Sequence, residues 1–183
     1  MKILSIMGSP RKDGNTSLLL ETFLEGIKKN QKDAEITIVY PAEEDIKPCM
    51  GCNACKGGSP KACIINDDMT SYYEQLNLAD VIVLATPVYW FNLSSQIKKF
   101  IDRMYGLDFK SFPAGKKLVL LMSFGDHDLV SSGAINISNS LKQMAHFLGM
   151  DYIYEYGLSS NVSEEKKKAV LAEIKEIGKN LLG

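Results

Sequence analysis

This chain is short of net charge, of histidine and of long apolar runs, and each shortage excludes something. Twenty-one Lys and Arg residues stand against 22 Asp and Glu, a formal charge of −1. No broad cationic face is therefore expected for a nucleic acid or an anionic membrane. No stretch approaches the ~18 consecutive apolar residues of a spanning helix. The opening Met1-Lys2-Ile3-Leu4-Ser5 has no apolar core and small-residue cleavage site behind it, so it reads as a strand rather than a leader, and the expected compartment is the cytoplasm. There are only two histidines. His127 falls in a loop, where it is a proton donor or idle, and His146 falls in an apolar run, where it reads as a packing residue. No repeat, linker or low-complexity segment interrupts the 183 residues. That length suits one buried core and is short for two, so residues 1–183 are expected to form a single domain.

Two familiar phosphate motifs are also missing. Neither Gly-x-x-x-x-Gly-Lys-Ser/Thr nor Gly-x-Gly-x-x-Gly occurs after the first strand. What stands there instead, between an apolar strand at residues 2–7 and an amphipathic helix from residue 17, is Gly8-Ser9-Pro10-Arg11 followed by Gly14-Asn15-Thr16-Ser17. This loop holds hydroxyls at Ser9, Thr16 and Ser17, an amide at Asn15 and a cation at Arg11. Such a loop can wrap a terminal phosphate with backbone N–H groups at a helix N-terminus. It also reads as a plain polar turn with a Ser or Thr cap.

Strand-like runs recur at residues 35–40, 80–85, 117–123 and 151–156, separated by helical patterns at about 67–78, 94–104, 133–148 and 163–182. Apolar strands alternating with helices imply a doubly wound α/β fold, a five-stranded parallel sheet with helices on both faces. Five strands with a loop of this phosphate-wrapping kind after the first suggest the flavodoxin-like order 2-1-3-4-5. Ligands of such sheets bind beyond the carboxyl ends of the strands, where the loops after strands 1, 3 and 4 converge. A phospho-acceptor receiver would need acidic residues in those places, which hold Gly8-Ser9-Pro10 and Thr86-Pro87.

Two further stretches ask for an explanation. Tyr89, Trp90 and Phe91 stand in a row in a loop after strand 3, where three rings cannot all reach the core. At least one faces solvent, a ligand or another subunit. All four cysteines, Cys49, Cys52, Cys55 and Cys63, fall in a turn-rich loop at residues 48–66, spaced Cys-x2-Cys-x2-Cys-x7-Cys. Four clustered thiolates suit an iron–sulfur cluster. Reduced thiols without metal, zinc and a disulfide are the other readings.

Taken together, the Gly8–Ser17 loop, the Thr86-Pro87-Val88-Tyr89 segment before Lys98-Lys99-Phe100-Ile101-Asp102-Arg103, and the cysteine spacing followed by Asp67-Asp68-Met69 resemble the NAD(P)H-dependent FMN reductase and iron–sulfur flavoprotein superfamily. The resemblance implies an FMN-dependent oxidoreductase that takes a hydride from NADH or NADPH and reduces a flavin, quinone-like or other small acceptor. It implies an FMN phosphate held by Ser9, Arg11, Asn15, Thr16 and Ser17. The ring would lie along Pro87, Val88, Tyr89, Trp90, Phe91 and Asn92, with Ser123 and Gly125 on its far edge. A [4Fe–4S] cluster would be bound by the four cysteines, and Asp102-Arg103 would serve as a structural ion pair or cap. No side chain is expected to act as acid or base, because the flavin carries the chemistry. A homodimer or homotetramer is implied. The alternative is an electron carrier that relays between protein partners through flavin and cluster.

Overall fold

The computed structural model describes residues 1–57 and 63–181. Gly58, Ser59 and Pro60 of the turn-rich excursion, and Leu182 at the expected end of the last helix, lie outside the described residues. Strand β1 (Lys2–Met7) leads into α1 (Asn15–Asn30), then β2 (Glu35–Val39), α2 (Met69–Leu78) and β3 (Val81–Tyr89). There follow β4 (Asn92–Leu93), α3 (Ser95–Arg103), β5 (Lys117–Phe124), α4 (Ala134–Leu148), β6 (Asp151–Ser159) and α5 (Glu164–Lys179). The parallel strands run in the order β2-β1-β3-β5-β6, the expected doubly wound arrangement. The departure is β4, a two-residue strand pairing antiparallel with the end of β3.

Alternation along each strand explains the layers. Ile3 and Met7 of β1, with Val81, Val83 and Ala85 of β3, meet α1 and α5 on one face. Leu4, Ile6, Ile82 and Leu84 point the other way and meet α2, α3 and α4. Every side chain from Val81 to Ala85 is fully buried, so β3 is covered on both faces and its sequence is continuously apolar rather than alternating. Each such aliphatic side chain contributes about 1.5–3 kcal/mol on burial. Where α1 crosses α5 the backbones nearly touch. A Cβ added to Gly26 would lie 2.2 Å from the Lys175 carbonyl oxygen, so only glycine fits.

His146 departs from expectation: it is exposed on α4. The apolar run around it follows the helical period, and Ala145 and Leu148 take the buried positions. Among the described residues no helix is long and apolar enough to cross a membrane.

Candidate functional site

The chain reverses its direction of sheet growth between β1 and β3, and a cleft opens beyond the carboxyl ends of β1, β3 and β5, where this fold binds ligands. It encloses ≈ 390 Å³ and is lined by Arg11, Asp13, Gly14, Asn15, Pro87, Val88, Tyr89, Ser123, Phe124, Gly125 and Ser160. That volume falls within the usual range for small-molecule sites.

The residues of the first loop divide into two groups. Arg11 and Asn15 face the cleft. Ser9, Thr16 and Ser17 are buried behind it and fold the loop itself. The Ser9 hydroxyl accepts from the Arg11 N–H and donates to the Arg11 carbonyl, both at 3.1 Å. Ser17 donates to that same carbonyl at 3.0 Å. Thr16 and Ser123 share a hydroxyl–hydroxyl bond of 2.6 Å, which ties the α1 start to the end of β5. Helix α1 begins at Gly14 with no side-chain cap and no acidic residue in its first turn. Its amino end, with unpaired N–H groups and the positive pole of the helix dipole, is therefore left to the cleft. Lys12 turns away and pairs with Glu43 at 2.7 Å, so Arg11 is the basic side chain that lines it.

The aromatic segment is a hairpin rather than a loop. Tyr89 pairs with Asn92 and Val88 with Leu93, leaving Trp90 and Phe91 as the two turn residues. Both have positive φ, 48° and 64°, as a two-residue hairpin turn of the primed type requires. Bulky residues adopt that conformation at a cost. The chain before α4 accommodates it: Gly133 (φ 79°) lies so close that a Cβ there would stand 2.6 Å from the Phe91 Cβ. Trp90 is 92% exposed and Phe91 56%. Neither they nor Asn92 line the cleft, whereas Pro87, Val88 and Tyr89 do. The hairpin is anchored by Ser94. Its hydroxyl caps α3 by accepting from the Ile97 N–H and donates to the Gly8 carbonyl at 2.5 Å.

Sequence reasoning missed the loop after β6. Ser160 lines the cleft, its N–H donates to the Phe124 carbonyl at 2.8 Å, and Asn161 donates to the Gly125 carbonyl. The polar run Ser159-Ser160-Asn161 at the end of a parallel strand was the available signal.

The cysteines form a second centre. Cys49, Cys52, Cys55 and Cys63 all line one hollow of ≈ 20 Å³, together with Arg103 and Tyr105. All four are free thiols, Cys49 and Cys52 exposed and the other two partly buried. The Gly51 N–H donates to the Cys49 sulfur at 3.5 Å, and the Cys55 thiol donates to the Tyr105 carbonyl at 3.9 Å. Among the described residues no three acidic, thiol or imidazole groups form a ready-made ligand set. The donor chemistry nevertheless fits a soft metal or cluster, because all four thiols of the chain line one hollow.

Arg103 closes this loop. It pairs with Asp67, not with its neighbour Asp102, which binds Lys98 one turn away. The guanidinium grips both Asp67 oxygens at 2.6 and 3.0 Å, the Lys47 carbonyl at 2.9 Å and the Ile65 carbonyl at 3.5 Å. The two ends of the cysteine loop are thus pinned to one buried cation. Burial alone would raise the Asp67 pKa, but bonds from Arg103 and from the Lys47 and Met69 N–H groups hold it below 3.8. Tyr73, whose hydroxyl donates to the Arg103 carbonyl at 3.0 Å, is pushed up to about 12, mainly by burial. Lys56 latches the other side: its ammonium donates to the Leu107 carbonyl at 3.0 Å and sits 3.4 Å from the Phe109 ring centre. A larger apolar groove of ≈ 450 Å³ lies beside this loop at the C-terminal end of α3. It lacks the helix N-terminus and the carboxyl strand ends of the polar cleft.

The chain is 33% identical over 169 residues to an iron–sulfur flavoprotein of Methanosarcina thermophila, covering 90% of this chain and 85% of that one. It is 38% identical over 103 residues to an iron–sulfur flavoprotein of Methanocaldococcus jannaschii, of whose length the match spans about half, 51%. The fold superposes on an NAD(P)H:quinone oxidoreductase of Methanothermobacter marburgensis with a TM-score of 0.78 at 18% identity, over 100% of this chain and 98% of the other. Residues 1–164 match the NADPH-dependent FMN reductase family, and with that match this chain belongs to that family and is an FMN-dependent oxidoreductase.

Proposed function

We propose that the polar cleft binds FMN and that the protein passes a hydride from NADH or NADPH through it to a small acceptor, a flavin or a quinone-like compound. The observation that carries this reading is the uncapped amino end of α1 facing Arg11 at the strand-reversal point. That arrangement suits a dianionic phosphate monoester. In this reading Arg11 and Asn15 meet the phosphate directly, while Ser9, Thr16 and Ser17 hold the loop that presents its N–H groups. Pro87, Val88 and Tyr89 flank the ring with Ser123 and Gly125 opposite, and Trp90, Phe91 and Asn92 overhang the open side. Bound FMN would supply the electron-accepting chemistry; the chain's own residues orient it and exclude water. The name of the structural neighbour, an NAD(P)H:quinone oxidoreductase, supports the same donor and acceptor classes.

The test is anaerobic. Apoprotein is titrated with FMN and then mixed with NADH or NADPH, and the blue flavin band is followed. Saturable bleaching with one of the two supports the reading, and return of the blue band on addition of a quinone, as the reduced flavin is reoxidised and the quinone reduced with turnover, extends it to the acceptor. Failure to bind FMN, or bound FMN that neither nucleotide bleaches, sinks it.

The cysteine hollow favours a second reading, in which a [4Fe–4S] cluster held by Cys49, Cys52, Cys55 and Cys63 relays single electrons between flavin and a redox protein. The names of the iron–sulfur flavoprotein relatives support it. About four irons and four sulfides per chain after oxygen-free purification are expected. Protein that binds FMN but neither carries nor takes up iron removes this reading and leaves the reductase.

A further inference from the structure

The Arg103 side chain is 1% exposed and forms part of the wall of the hollow that the four cysteines line. Its two terminal nitrogens are fully engaged by Asp67, the Lys47 carbonyl and the Ile65 carbonyl. Its Nε–H is buried as well and has no partner among the described residues. Native interiors rarely leave a buried donor unpaired, because such a group has lost its water and gained nothing. The four cysteine sulfurs share this hollow with Arg103, beside Asn53, Asp102 and Tyr105; Asp102 is engaged by Lys98, and a metal-bound thiolate or sulfide accepts hydrogen bonds without offering any.

We propose that Arg103 is a positioning residue for a sulfur-ligated cluster in the cysteine loop: its terminal nitrogens hold the two ends of the loop together, and its Nε–H donates to one of the sulfurs. The inference rests on the cluster reading of the loop. Asp67 neutralises the guanidinium, so what reaches the sulfur is a directed N–H group rather than an uncompensated cation. A hydrogen bond to sulfur favours the more electron-rich, reduced state and therefore raises the reduction potential. Lysine at this position would keep a cation for Asp67 but would place no second N–H group beside the sulfurs, since its ammonium is a single point.

The experiment reconstitutes wild type and Arg103→Lys anaerobically with Fe²⁺ and sulfide. Iron content, midpoint potential by an EPR-monitored titration, and resistance to an iron chelator are then measured. FMN affinity, which belongs to the opposite end of α3, reports whether the variant is folded. The expected result is a more negative potential and a loss of cluster retention of about 10- to 100-fold, the usual consequence of removing an outer partner of a metal ligand. A second readout needs no variant. The chain has two arginines, Arg11 and Arg103, so arginine labelled with ¹⁵N at Nε reports almost by itself. Pulsed EPR of the reduced wild type is expected to show a ¹⁵N coupling of a hydrogen-bonded donor. Wild type that takes up no iron overturns the cluster reading and this inference with it. Wild type that holds a cluster, without a ¹⁵N coupling and with an unchanged potential in Arg103→Lys, overturns this inference alone. Should Arg103→Lys fail to fold, the ¹⁵N coupling decides.

Discussion

Asp67 and Arg103 show what a single buried residue can control. Neither has water to fall back on, with side-chain exposures of 0% and 1%. Removing one partner strands the other's charge or donors in the interior, a loss of about 3–5 kcal/mol. Asp67→Asn is expected to lower the unfolding free energy by that order in urea denaturation. The pH dependence follows from the depressed pKa of Asp67. A carboxylate held below its unfolded value stabilises the fold at pH above that value, and the contribution is lost as pH falls through the folded value. Wild-type stability should therefore drop below about pH 4 more steeply than that of Asp67→Asn; parallel curves would show that the pair carries no pH-linked stability. Arg11 makes the opposite case, a charged side chain that lines the polar cleft. Arg11→Gln is expected to weaken FMN by roughly tenfold or more, the effect of one charge-assisted contact, while leaving riboflavin unchanged because it has no phosphate. Equal losses for both flavins by fluorescence titration would remove Arg11 from the phosphate site.

At the scale of elements, the β3–β4 hairpin depends on a glycine that sits 42 positions downstream of Phe91. Gly133 has both a positive φ and no room for a Cβ. Gly133→Ala should destabilise the protein by about 1–3 kcal/mol through backbone strain alone, and the clash with Phe91 should displace the hairpin. The expected signature is a shifted Trp90 emission, since Trp90 is the single tryptophan, together with weaker FMN binding. Unchanged emission would mean that the hairpin adjusts without help from the α4 start. The sequence showed the segment as aromatic and exposed but not as a hairpin, for a physical reason. Primed turns normally announce themselves with Asn-Gly or Gly residues, and here the turn is Trp90-Phe91, held in place by packing against another element.

At the scale of the whole molecule, Trp90 and Phe91 leave an apolar tip in water beside the open side of the cleft. We propose that a second copy covers it, as the implied dimer or tetramer would. Sedimentation should then give twice or four times the chain mass, and Trp90→Ser should shift the equilibrium toward the monomer. A wild-type monomer at micromolar concentration would leave the tip to a substrate or another partner.

Local rules were enough to specify the alternation of buried strands and amphipathic helices, a parallel sheet, and the carboxyl edge where the loops after the strands gather. Period and composition act over a few residues, so they can be read in one dimension. The Gly8–Ser17 loop, the aromatic run and the clustering of the cysteines were legible for the same reason. Ser9 and Ser17 turn back on the Arg11 carbonyl within the loop itself, whereas the partner of Thr16 was decided in three dimensions, because it finds Ser123, 107 residues away, only once α1 and β5 are packed. The partner of Arg103 was likewise chosen by burial across 36 residues of chain, not by the neighbouring Asp102, because α3 points its two adjacent side chains in different directions and only one of them enters the core.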